Sequence, residues 1–102
     1  MVEHSVTNQV EMEIGMLERT IRILSVIKKE QPIGIKRLSE KLDFKEGEVR
    51  YSLRLLEKEK IIEPTAAGAV LTEKHGKFEK ILLQDIKDMR GTLSRLIDTL
   101  SE

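Results

Sequence analysis

Arg50, Tyr51 and Arg54 are the side chains of this chain best equipped for chemistry, and that chemistry is recognition rather than reaction. The two arginines stand four positions apart, so on a helix they share one face. Val49, Leu53 and Leu56 recur at i, i+4 and i+7 and claim the inner face, which turns the arginines and the tyrosine outward. A shorter stripe comes before it, Ile35, Leu38 and Leu42 at i, i+3 and i+7. Two short helices in that order, the second bearing outward cations, have the form of a helix-turn-helix whose second helix enters a DNA major groove.

The flanking segments must hold that pair in place. Pro32 and Gly34 stop whatever helix precedes it. Asp43 is a turn residue that tolerates left-handed backbone, and Phe44 plugs the corner between the two helices. The second helix is expected from near Lys45 to near Lys60, with Glu46 and Glu48 in its first turn, where acids suit the helix dipole. Ile61-Ile62-Glu63 and Ala69-Val70-Leu71 flank the turn sequence from Pro64 to Gly68, which predicts a small hairpin. Thr72 is expected to cap a last helix reaching about Leu100. At the other end the first six or so residues are expected to fray, with Thr7 or Asn8 capping a helix that opens near Gln9. Val10, Ile14, Leu17, Ile21 and Leu24 form one apolar stripe along it, and Met16, Ile23 and Ile27 widen that stripe later. Gly15 weakens the middle by about 1 kcal/mol relative to Ala, which leaves a bend there or one helix to Glu30.

Composition narrows the function classes. The 102 residues fit one core, built from aliphatic side chains because Phe44, Tyr51 and Phe78 are the only aromatics. With no cysteine, a disulfide framework and a zinc-thiolate site are excluded. His4 and His75 lie far apart, so no metal site is expected and no cofactor is called for. No glycine-rich phosphate loop or nucleophile motif occurs, and Glu46 and Glu48 read as neighbours on a charged helix rather than as an acid–base pair. An enzyme is not expected. The polar stretch Met1 to Gln9 does not read as a signal peptide, and no apolar run reaches the length of a membrane span, so the expected compartment is the cytoplasm, without a membrane partner. Formal net charge is zero but uneven. Residues 1–18 hold four acids and no Lys or Arg, whereas residues 19–60 hold twelve bases against seven acids. The positive excess coincides with the helix-turn-helix, and charged residues that merely solvate helices are the plain alternative.

The C-terminal segment carries a different pattern. Leu82, Ile86, Met89, Leu93, Leu96 and Leu100 are spaced 4, 3, 4, 3, 4, a heptad seam over almost three repeats, flanked by Leu83 and Ile97. A small domain needs such a stripe for only a turn or two against its own core. The seam therefore predicts a coiled-coil-like contact between two copies, with packing inside one chain as the competing reading.

From about Leu17 to Gly76 the chain resembles winged-helix transcriptional regulators of the broad MarR, ArsR and PadR type, particularly small archaeal ones. The residues that carry the resemblance are Ile35 to Leu42 as the support helix, Asp43-Phe44 as the turn, Val49 to Glu57 as the recognition helix, and Leu71 to Gly76 as the exit from the hairpin. The resemblance implies a mainly α winged helix-turn-helix: a three-helix core, a short β-hairpin wing, and flanking N- and C-terminal helices for dimerisation. It divides the chain into an N-terminal tail and helix extension (1–16), the winged domain (17–76) and a dimerisation helix (77–102). It also places Lys45, Glu46, Arg50, Tyr51 and Arg54 toward the groove. An arginine there would fork onto guanine O6 and N7 or hold phosphate, and Tyr51 would bond phosphate or pack on a thymine methyl. Lys36 and Arg37, on the support helix, would anchor the DNA backbone. For the two arginines a solvated helix face is the competing reading, and for Tyr51 partial core packing.

Three departures from the family pattern stand out. Lys45 occupies the position usual for a Ser or Thr cap. Glu46 and Glu48 bring negative charge toward the groove entrance. The hairpin has no Lys or Arg between Lys60 and Lys74, so a minor-groove finger is not expected. The expected function is a homodimeric, sequence-specific DNA-binding regulator with double-stranded DNA as partner. Its rival is a winged-helix protein-interaction module without direct DNA contact, which the acidic groove entrance and uncharged wing favour.

Overall fold

The computed structural model describes residues 5–102. Helices α1 (Ser5–Glu30), α2 (Ile35–Leu42) and α3 (Glu46–Lys58), strands β1 (Ile62–Thr65) and β2 (Gly68–Leu71), and helix α4 (His75–Leu100) follow in order. This is the mainly helical winged helix-turn-helix that the sequence predicts.

α1 runs without a break past Gly15, around which there is open space. Ser5 is already helical, so Thr7 and Asn8 lie inside the helix rather than capping it. The rest of the segment expected to fray, and His4 with it, lies outside the described residues. Burial deepens along α1. Val10 and Ile14 are exposed, Leu17 and Ile21 half-buried, and Leu24 buried. The deepest face is the supplementary stripe, with Ile23 and Ile27 fully enclosed. The stripe read as the main one therefore enters the core only at its C-terminal end.

Ile33, Leu38 from α2, Val49, Leu53 and Leu56 from α3, Ile61 before the hairpin, and Ile62 and Ala69 within it complete the core. Each of the Leu, Ile and Val side chains contributes about 1.5–3 kcal/mol through removal of apolar surface from water. One polar group enters this core: Ser52 is fully buried, 2.8 Å from the Thr20 hydroxyl of α1. Thr20 donates to the Met16 carbonyl at 2.9 Å. Its single proton is thereby used, so Ser52 donates to Thr20 and no hydroxyl is left unpaired.

The turn between α2 and α3 forms as the sequence predicts. Asp43 adopts φ 57° and ψ 43°, the left-handed region that a short polar side chain tolerates. The Ser39 carbonyl accepts the Phe44 N–H at 3.2 Å, and the Ser39 hydroxyl donates to the Phe44 carbonyl.

The hairpin is antiparallel, pairing Ile62 with Leu71 through to Thr65 with Gly68. Ala66 and Ala67 form its tip, which Thr65 ties down by accepting from the Ala67 N–H and donating to the Gly68 carbonyl. Ile33 bridges to Ala69 from the other side, through hydrogen bonds of 3.2 and 2.8 Å. The Gln31 side chain accepts the Leu71 N–H at 2.8 Å beside the cis Gln31–Pro32 bond. Gly68 is required here: its φ is 129°, and a Cβ would lie 2.4 Å from the Ile33 carbonyl carbon.

Two further sequence expectations need correction. α3 ends at Lys58, two residues early, because Lys60 turns left-handed at φ 61° to start the hairpin. Thr72 does not cap α4. Its hydroxyl donates to the Lys60 carbonyl at 2.6 Å and closes the base of the hairpin, while Lys74 takes the N-cap position with no side-chain capping hydrogen bond.

The chain forms two compact units, the first ending at Thr72 and the second comprising Glu73–Glu102. The second unit consists of α4, in which no residue is buried. His75 Nδ1 lies 2.7 Å from Glu79 Oε2 in its first turn, so His75 is tied to its own helix. Along the heptad seam Leu82 and Ile86 are half-buried, while Met89, Leu93 and Leu96 are about half exposed and Leu100 is 89 % exposed.

Candidate nucleic-acid interface

α3 divides cleanly into two faces. Val49, Ser52, Leu53 and Leu56 are buried, whereas Arg50, Tyr51 and Arg54 are exposed. Among the described residues Arg50, Arg54 and Lys36 make no ion pair or side-chain hydrogen bond, so their charges are uncommitted. Tyr51 is 50 % exposed.

Arg37 is placed differently. Its guanidinium pairs with Glu30 at the end of α1 at 3.3 Å, and Lys41 pairs with the same carboxylate. The Lys41 ammonium first, then the Arg37 guanidinium, hold the Glu30 carboxyl below its ordinary value. Contact between Arg37 and phosphate would have to compete with Glu30, a competitor that Lys36 does not have.

The start of α3 is secured without a Ser or Thr cap. The Lys45 N–H donates to Glu48 Oε1 at 3.0 Å, the half of a capping box that a carboxylate can supply. Glu48 Oε2 accepts from Arg19 of α1 at 3.4 Å. Glu48 is thus a neutralised structural group rather than a free charge at the groove entrance. Glu46 remains an exposed acid in the first turn.

Sequence reading missed the contribution of α1. Besides Arg19, Arg22 lies over the Phe44 ring, 5.2 Å from its centroid, within cation–π range. Arg19 and Arg22 are i, i+3 on a helix, a visible pairing, but only the phase of α1 against α3 reveals what they face.

The wing has an exposed tip with no cation, from Pro64 to Ala67. An open cleft of about 330 Å³ lies between it, the start of α2 and Leu53, with Glu57 as its one charged lining residue. No cluster of three metal-ligating residues occurs among the described residues. No helix among them is long and apolar enough to cross a membrane.

The family of CggR N-terminal DNA-binding domains matches residues 12–89, from the exposed half of α1 to the middle of α4. Among solved structures, a mutant of Lactococcus lactis ZitR in its apo form superposes with a TM-score of 0.51 at 18% identity, covering 98% of each chain. That likeness speaks for the fold. No curated protein matches the chain.

Proposed function

The chain belongs to the family of CggR N-terminal DNA-binding domains, the DNA-binding part of a transcriptional regulator rather than an enzyme, and on that premise we propose that it binds duplex DNA as a homodimer through α3. The observation that carries the reading is the outer face of α3: two uncommitted guanidinium groups one helical turn apart, beside a half-exposed tyrosine. Inserted in a major groove, Arg50 and Arg54 fork onto guanine edges or hold phosphate, and Tyr51 packs on a thymine methyl or bonds phosphate. Lys36 and Lys45 hold the DNA backbone, joined by Arg37 where it leaves Glu30. The alanine-tipped wing adds at most backbone contacts.

Two copies associate along the α4 seam from Leu82 to Leu100 in a coiled-coil-like contact, which sets two recognition helices about 34 Å apart, one helical turn of DNA. The exposure of Met89, Leu93, Leu96 and Leu100 supports this arrangement, since a lone helix would leave that apolar stripe in water.

The test is a gel shift at fixed salt on a duplex selected by the wild-type protein from random sequence. Replacing both Arg50 and Arg54 by Ala weakens binding by about 2–6 kcal/mol, given about 1–3 kcal/mol for each bidentate contact, and leaves the fold intact by circular dichroism. Unchanged affinity would reject the assignment of α3.

A further inference from the structure

We propose that Arg19 and Glu48 are positioning residues for DNA recognition: their ion pair holds the carboxylate that caps α3 and so sets the direction in which α3 presents Arg50 and Arg54. This inference rests on α3 being the groove helix.

The side chain seen capping the start of α3 is that of Glu48. Lys45, at the N-cap, offers an ammonium that cannot accept a hydrogen bond, and only the Glu48 carboxylate reaches back to the Lys45 N–H. The other oxygen of the same carboxylate is tied to Arg19. Arg19 is itself constrained, with 21% of its side chain exposed and a buried Nε that has no hydrogen-bond partner. The guanidinium is therefore fixed largely through Glu48, and Glu48 bridges α1 to the start of α3. The Thr20–Ser52 hydrogen bond joins the same two helices at the next residue of α1 and one turn further along α3. Two polar links thus set the register of α3 on α1, and apolar packing is non-directional by comparison.

Arg50 lies two residues beyond Glu48 on the solvent side. A bidentate contact to a base edge requires tight placement, whereas phosphate attraction tolerates displacement. Loosening the link therefore lowers specific binding and spares non-specific binding.

The experiment uses the full chain with two probes: the duplex selected by the wild type and a random duplex of equal length. Arg19→Ala is expected to weaken binding to the selected duplex about tenfold, within the range of one lost base contact. Random-duplex affinity and the salt slope stay unchanged, and Arg19→Lys restores most of the loss. Glu48→Gln keeps the acceptor for Lys45 while removing the charge, so it tests the ion pair with the cap in place. It is expected to match Arg19→Ala, with the double variant no worse than either single one. Thermal melts confirm that each variant is folded at the assay temperature. Unchanged selected-duplex affinity in Arg19→Ala overturns the proposal. So does a parallel fall on both probes with the salt slope reduced by about one, the mark of a direct phosphate contact. The Arg50→Ala, Arg54→Ala variant runs alongside. If it alone weakens binding, positioning fails while the groove assignment stands; if it too binds as wild type, both fail.

Discussion

α3 and α4 carry the same kind of apolar repeat and put it to opposite use. In α3, Val49, Leu53 and Leu56 all enter the core, and what remains on the surface is charge. In α4, a longer repeat leaves no residue buried, and what remains on the surface is leucine and isoleucine. Periodicity alone does not tell a core helix from an association helix; the amount of partner surface available does. The first unit builds its core from α1, α2, α3 and the hairpin, and the proposed use of the α4 stripe is association with another copy.

The contrast is easiest to break in the core. Leu56→Ala should destabilise the protein by about 2–5 kcal/mol in denaturant titration, whereas Leu96→Ala in dilute protein should stay within about 0.5 kcal/mol of wild type. Equal losses would show that α4 is a core element. Next is Leu93→Lys, expected to weaken association by about 3 kcal/mol through lost burial and a desolvated ammonium. Light scattering should report a monomer whose unfolding by heat keeps the signature of the first unit; a wild type already monomeric at high micromolar concentration would mean that the seam is not paired.

Smaller effects sharpen the account of the core. Ser52→Ala should cost about 1 kcal/mol, because Thr20 keeps its bond to the Met16 carbonyl. A neutral result would mean that the buried pair adds direction but little stability. The smallest effect concerns Glu30, whose carboxyl lies below its ordinary 4.5 because Lys41 and Arg37 favour the ionised form. A carboxyl with a depressed folded value stabilises above its unfolded value, and that stability is lost as pH falls through the folded one. The stability difference between wild type and Glu30→Gln should therefore be constant near neutrality and shrink as pH falls below the ordinary carboxyl value of 4.5. A difference that grows on acidification would contradict the pairing.

Much of the fold was legible because local chemistry decided it. Asp43 turned left-handed as a short polar turn residue can, Ile35, Leu38 and Leu42 marked α2, and the run from Pro64 to Gly68 marked the hairpin tip. What was not legible depended on the relative phase of distant elements. Thr72 looked like a cap, yet the hairpin brought the Lys60 carbonyl within reach of its hydroxyl first. Glu48 looked like a repulsive charge until α1 delivered Arg19, and Arg37 looked free until the end of α1 delivered Glu30. In each case the side chain was claimed by a group more than six positions away, which spacing within one element cannot foresee.

The division of labour between α3 and α4 is tested most directly by methylation interference on the selected duplex. Methylation at guanine N7 blocks an arginine fork in the major groove without altering the backbone. Two interference patches on one face of the duplex, centred about 10 base pairs apart and lost in the Arg50→Ala, Arg54→Ala variant, are predicted. A single patch, or interference unchanged in that variant, would contradict the account.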